Sequence, residues 1–202
     1  MIDASEFVAG ALCLDFINTV GGTRAGVHTD KLETYGDLLD WAVLGGALTR
    51  ADAARLGRYA ADEPDTAGKV LMAAKAFREA LHAVFAAQAS QDVAPKPALD
   101  LVNAWIGQSL AHARLVVREG EGFAWGWDRA DAPDAPLWAI ARDAGELLTK
   151  GPLDRLTECA SDTCGWLFLD STKNHSRRWC DMRGCGNRDK VRRYRQRPEP
   201  RA

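Results

Sequence analysis

The sequence predicts a mainly α-helical protein with a small β-hairpin, followed by a C-terminal cysteine-bearing module with a short strand pair and a basic helix. Three observations carry this expectation. Apolar residues recur every three or four positions through most of residues 11–150, as in helices that bury one face. The period falls to two only on either side of a glycine-rich stretch at 119–122. Four of the five cysteines crowd between positions 159 and 185, and the chain beyond them is dense in arginine.

Taken in order, Leu12, Phe16 and Val20, with Ile17 beside them, mark a helix over 11–20 that Gly21-Gly22 ends. A polar loop over 23–29 follows, then a helix carrying Tyr35, Leu38, Leu39 and Ala42 up to Gly45-Gly46. Thr49 is placed to cap a helix over 51–61, closed by Pro64. The strongest stripe, Val70, Ala74, Phe77, Leu81, Val84 and Phe85, predicts a central helix over 70–88. After Pro95 and Pro97, the residues Leu99, Val102, Ile106 and Leu110 predict another. Residues 114–118 and 123–127 flank Glu119-Gly120-Glu121-Gly122 and predict the hairpin. Phe123, Trp125 and Trp127 share one of its faces, which is expected to pack as core on the helices. A last helix over 136–150, with Leu137, Ile140, Ala144, Leu147 and Leu148, is where the cysteine module is expected to dock. The division is into a helical domain, 1–150, and a C-terminal module, 151–202.

Of the 202 residues 47% are apolar and 27% charged, a composition that suits a globular core and excludes disorder and fibrous repeats. No uncharged apolar stretch nears the roughly 18 residues of a membrane span. Met1-Ile2-Asp3-Ala4-Ser5-Glu6 lacks the cationic, then apolar, pattern of a secretory signal, so the expectation is a cytoplasmic protein without a membrane partner. The formal net charge of −2 hides a split: residues 171–202 hold eleven Lys and Arg against three acids, a local +8, which leaves fifteen bases against twenty-five acids, −10, on residues 1–170. Such asymmetry suits a chain one end of which meets a polyanion.

The cysteines read C-x4-C, fifteen residues, C-x4-C: Cys159 and Cys164, then Cys180 and Cys185. Two short loops that each present a thiolate pair are the usual way to surround a tetrahedral zinc ion, and in a reducing compartment clustered thiols point to metal before disulfides. Free buried cysteines and a redox pair are the alternatives, and His175 could replace one sulfur. A four-sulfur site leaves no position for water, so the zinc would be structural and would supply the stability that a module of this size lacks.

Cys159, Cys164, Phe168, Asp170, Trp179-Cys180 and Cys185-Gly186-Asn187-Arg188, with Lys190 after it, resemble the CGNR zinc finger of bacterial proteins. The run Leu12-Cys13-Leu14-Asp15-Phe16-Ile17-Asn18-Thr19 is similar to the opening of the ABATE domain, which precedes that finger in a family of stress-induced transcription regulators. The resemblance implies a metal module and DNA binding.

Asn187 can cap a helix over 188–197 ended by Pro198. On it Arg188, Arg192 and Arg195 share one face and Lys190, Arg193 and Arg197 an adjacent one, while Arg177, Arg178 and Arg183 extend the positive surface from the loops. Duplex DNA is the expected counter-charge, with RNA the variant of the same chemistry. Folding of the tail back onto the acidic body is the plain alternative. Arg178 and Asn187 could also brace the module.

Asp15 and Asn18 lie three apart on an otherwise apolar helix, and Arg24 or Arg78 could partner them, either as a pocket for a small-molecule effector or as bracing. No catalytic constellation appears, and the four histidines are isolated, so no enzyme is expected. The sequence therefore predicts a DNA-binding transcriptional regulator with a structural four-cysteine zinc module, its acidic body serving a homodimer or an effector. The competing reading is a small-molecule-binding or enzymatic body with a zinc module that is purely structural or docks a partner.

Overall fold

The computed structural model describes residues 3, 6–23, 26, 29–118, 120, 122–129 and 131–195, the side chains of 118, 193 and 194 excepted. Over these residues the chain is mainly helical with small antiparallel strand pairs, as the spacing predicts. Helix α1 (Leu12–Ile17) ends three residues before the expected 11–20 does, and a ribbon of two-residue strands, β1 (Val20–Gly21) against β2 (Thr29–Asp30), brackets the stretch read as a loop. Helix α2 (Tyr35–Leu44) opens with a reciprocal cap in which Asp37 N donates to Thr34 Oγ1 at 3.1 Å and Thr34 N to Asp37 Oδ2 at 2.7 Å. Thr49 caps α3 (Arg50–Asp62) through Asp52 N at 3.1 Å.

Pro64 does not close α3 but opens α4 (Pro64–Ala89), because in the first turn of a helix its missing N–H breaks no hydrogen bond. Helix α5 (Lys96–His112) runs straight into the hairpin, β3 (Ala113–Arg118) and β4 (Gly122–Trp127), and α6 (Ala135–Lys150) completes the body. The C-terminal module contains β5 (Leu156–Glu158), β6 (Leu167–Leu169) and α7 (Asn187–Arg195). No helix among the described residues is long and apolar enough to cross a membrane.

Helix α1 sits in the middle. It lies against α4 and α6, and Cys13 through Ile17 are all buried, so it has no solvent face. A chain of rings passes through the core: Phe7 on Trp41 at 5.5 Å, Trp41 on Phe16 at 5.3 Å, Phe16 on Phe77 at 6.2 Å and Phe77 on Trp105 at 5.5 Å. Pairs in this range contribute about 0.5–1.5 kcal/mol beyond their burial. The start of α1 has no side-chain cap of its own; Asp143 of α6 supplies one, accepting from Cys13 N at 2.8 Å.

Two expectations are corrected. The aromatic face of the hairpin is not core: Phe123 is exposed, Trp125 is about half exposed with the Arg142 guanidinium of α6 5.5 Å over its ring, and Trp127 at the base lies edge-on to Trp138 at 5.9 Å. Alternation marks a face as apolar without saying what covers it. The cysteine module docks chiefly on α1 and α4 rather than on α6, because β6 runs beside α1 and β5 beside α4.

That docking is cemented by polar contacts from the first residues of the body. Asn18 behaves as a strand edge: its Nδ2 donates to Leu167 O at 2.9 Å and its Oδ1 accepts from Leu167 N at 3.0 Å. Leu169 N donates to Ala9 O at 2.8 Å, Gly165 N to Gly22 O at 3.1 Å and Trp166 Nε1 to Val20 O at 2.8 Å. Leu156, Leu167 and Phe168 are buried in the same apolar cluster as the body helices. Asn18→Leu orphans a buried N–H and a buried C=O at about 1–3 kcal/mol each. Urea titration should therefore show a loss of about 2–4 kcal/mol, whereas Asn103→Leu on the exposed face of α5 should stay within about 0.5 kcal/mol of wild type.

Candidate metal centre

Two loops converge to build the cluster. Cys159 follows β5, and Cys164 closes a turn in which its N–H donates to Ser161 O at 2.9 Å. Cys180 ends the loop after β6, and Cys185 lies in a π-helical turn, Met182–Gly186, that leads directly into α7. The side chain that starts this turn is Asp181, whose Oδ2 accepts from Gly184 N at 2.7 Å. Asn187, expected as the cap, already has helical backbone.

The four sulfurs are all buried and lie within 4.8 Å of one another. Cys164 Sγ is 3.8 Å from Cys180 Sγ, and Cys180 Sγ is 3.6 Å from Cys185 Sγ. A tetrahedral ion with metal–sulfur bonds of about 2.3 Å needs sulfur–sulfur edges of about 3.8 Å, so the donor set can coordinate a metal ion. His175 is exposed and outside the donor set. Sulfurs this close cannot all ionise without a cation among them. Hydrogen bonds from Cys164 and Cys180 hold the Cys159 thiol far down; in return the contact with Cys159 pushes Cys164 up to about 12, with Cys180 acting against it, and the contacts with Cys159 and Cys164 push Cys180 up as well. A divalent ion at the centre replaces that competition for protons with four thiolates.

A tetrathiolate around a divalent ion still carries a net −2, and the surrounding donors answer it. Arg188 Nη2 donates to Cys185 Sγ at 2.9 Å, and that sulfur raises the Arg188 pKa; Cys180 N donates to Cys159 Sγ at 3.4 Å. A cleft of about 470 Å³, lined in part by Gly22, Lys31, Trp166 and Arg188, opens beside three of the cysteines and offers an entry path.

The cations grouped by the sequence divide into two sets. Arg177 turns inward: it donates to Val8 O at 3.0 Å, Trp179 O at 3.1 Å and Cys180 O, and its guanidinium lies 4.2 Å from the Phe168 ring. Its backbone N–H is held at 2.9 Å by Asp170, which the hydroxyl and N–H of Thr172 also bind, keeping this carboxyl below its usual range. Arg188 is committed to sulfur, and Arg192 pairs with Asp162 and with Asp189 at 2.6 Å. Arg178, Arg183, Lys190 and Arg195 are exposed and make no ion pair among the described residues. The side chain of Arg193 and all of Arg197 lie outside the described residues. Sequence reasoning missed Asp162, Asp181 and the anchoring role of Arg177; only Asp181 carries a local signal, an acid three residues ahead of a glycine at the start of a helical turn.

Three of the four side chains grouped as a possible effector pocket hold protein partners. Asn18 is occupied by Leu167, and Asp15 Oδ1 accepts from Ala9 N at 2.9 Å. Arg78, only 3% exposed, clamps Asp30 with two bonds of 2.7 and 2.8 Å and donates to Thr19 Oγ1 at 2.9 Å. The free space touching Asp15 and Asn18 is about 10 Å³, room for no more than one water. Arg24 lies outside the described residues. These groups brace buried structure because a polar group this deep must find a protein partner.

Burial raises Asp15 from 3.8 to about 6, partly offset by its backbone donors and reinforced by Asp143. A folded pKa above the unfolded one means that ionisation opposes folding, so the protonated carboxyl stabilises below about pH 4 and that contribution is lost as pH rises through 6. Asp15→Asn keeps the acceptor and removes the titration. The variant should therefore gain stability relative to wild type as pH rises from about 4 to 7, in paired urea titrations; a constant difference would contradict the assignment.

Comparison with known proteins adds two matches. Residues 10–151 match the ABATE family model, described as "Putative stress-induced transcription regulator", and residues 155–198 match the CGNR zinc finger model. No curated protein matches the chain. With a body of this family joined to a four-cysteine module of this geometry, the chain belongs to the ABATE family and carries a C-terminal CGNR zinc finger.

Proposed function

We propose that the protein is a transcriptional regulator that binds duplex DNA through a zinc-held basic surface. One observation carries this reading: the cluster that would hold the metal also fixes the start of α7. Cys185 sits in the turn that becomes this helix, and α7 carries five Arg and Lys against one acid over nine residues. Arg188 and Arg192 have counter-charges within the protein. Arg178, Arg183, Lys190 and Arg195 have none among the described residues; Arg178 lies over the Trp179 ring at 5.2 Å, and Arg183, Lys190 and Arg195 are the first candidates for phosphate.

The ion is zinc in a structural role, since four thiolates saturate a tetrahedral site and leave no place for substrate. Its contribution is to hold the two loops and the first turn of α7 at a fixed angle. The acidic body, −10 over residues 1–170, keeps the basic end as the preferred contact for a polyanion. Membership of a regulator family supports the reading.

Two measurements test it. Metal analysis of the purified protein should give one zinc per chain, lost in Cys159→Ser and in Cys185→Ser; full metal in both variants would remove the basis of the proposal. For the full-length zinc-loaded protein, log affinity for duplex DNA should fall linearly with log salt, and Arg183→Ala and Lys190→Ala should each reduce the slope by about 0.9. Arg177→Ala should lower thermal stability and leave the slope intact. Absence of binding at low salt, or tighter binding to single-stranded RNA, would overturn the duplex-DNA reading.

A further inference from the structure

The four sulfurs of the metal centre are not equivalent. Cys159 Sγ accepts from Cys180 N at 3.4 Å, Cys185 Sγ accepts from Arg188 Nη2 at 2.9 Å, and the Trp166 backbone N–H bonds Cys164 Sγ. Among the described residues no nitrogen donates to Cys180 Sγ, whose neighbours include the sulfurs of Cys164 at 3.8 Å and Cys185 at 3.6 Å. An N–H donor draws electron density from a thiolate and blunts it as a nucleophile. In the metal-loaded centre Cys180 therefore keeps the most reactive sulfur.

Reach decides which reagent can use it. Cys180 is only 2% exposed, yet with Cys164 and Cys185 it lines the cleft of about 470 Å³ beside the centre. Solvent comes that far, and a molecule little larger than water can touch the sulfur where a bulky one cannot. Arg188, bonded to Cys185, and Lys31, paired with Glu6 at 2.7 Å, stand in the same cleft. A reaction there that expels an anion does so beside two cations. Hydrogen peroxide meets both conditions, being small and losing hydroxide when a thiolate attacks it.

The chemistry closes with no other reagent. The Cys180 thiolate attacks one oxygen of the peroxide, the O–O bond breaks, hydroxide leaves and Cys180 becomes a sulfenic acid. The Cys185 thiolate, 3.6 Å away, attacks that sulfur; the S–O bond breaks, a second hydroxide leaves and a disulfide forms. The two sulfurs have together given up two electrons, and one peroxide has become two hydroxides. Two remaining thiolates are too few for a four-coordinate structural site, so the ion departs. The turn Met182–Gly186, which leads into α7, then loses its tie to the first ligand loop.

We propose that Cys180 is a peroxide-reactive site whose oxidation to a disulfide with Cys185 releases the metal ion and unseats α7. The inference rests on the zinc reading and is independent of DNA binding. Full-length protein of measured zinc content, mixed with a chromogenic chelator, should keep its ion until hydrogen peroxide is added. It should then release one zinc per chain at a rate proportional to peroxide, with a denatured mass lower by two hydrogens. Dimedone added early should mark Cys180 first, and peptide mapping at the end should link Cys180 to Cys185, with buried Cys13 still reduced. Cumene hydroperoxide, the same bond on a bulky group, should act about tenfold more slowly after correction for its rate with free cysteine. Zinc-loaded protein that keeps its ion under peroxide overturns this proposal alone, as does first modification at Cys159, Cys164 or Cys185, or an equal corrected rate for the two peroxides. A protein purified without zinc overturns the zinc reading together with it.

Discussion

A six-residue helix without a solvent face imposes a demand that the rest of the molecule answers. Burying α1 brings in the backbone N–H groups of its first turn and the polar side chains of Asp15, Asn18 and Thr19. Each unmet group would cost a few kcal/mol, so each acquires a partner from a different part of the chain. Asp143 reaches in from α6, the segment before the helix folds back to Asp15, Arg78 of α4 bonds Thr19, and Leu167 of the C-terminal module bonds Asn18. The polar atoms of one short helix and the two residues after it thus fix the positions of four surrounding elements, and the apolar packing closes around them.

The metal centre extends the same logic to net charge. Four sulfurs within 4.8 Å of one another need a cation, and the excess negative charge that remains needs donors. Arg188 meets that need directly, while Arg177 anchors the second ligand loop to the start of the body. The basic segment therefore has two jobs that its sequence does not separate: some cations neutralise and brace the centre, and others stay in solvent. Arg192 stands between them, because its pair with Asp162 lies in water, where such contacts are weak and easily exchanged for another anion.

Long helices are legible in the sequence because apolar spacing reports the buried stripe directly, and Thr49 is legible because a cap is a local interaction. The four cysteines are legible because ligand loops repeat a pattern along the chain. Pro64 misleads because proline marks both the residue after a helix and the first residue of one. The β1–β2 ribbon escapes notice because strands of two residues leave no alternation to see. Asp15, Asn18 and Arg78 stand out as polar residues in apolar surroundings, yet their partners lie up to 149 positions away, and no local rule selects Leu167. The hairpin face shows the complementary limit: periodicity gives the direction of the side chains, while coverage depends on which residues of α6 meet them, here Arg142 at Trp125 and Trp138 at Trp127.

The contact between residues 18 and 167 also has a consequence for the order of events in synthesis. Chains emerge N-terminus first, so α1 leaves the ribosome with its Asn18 partner some 149 residues from being made. Until β6 appears, the centre of the body has an open polar seam, and contacts of such large sequence separation form slowly. The body of this protein thus reaches its final packing only after residues 156–169 have been made, so the closing of the core waits on the strand pair that leads into the cysteine cluster.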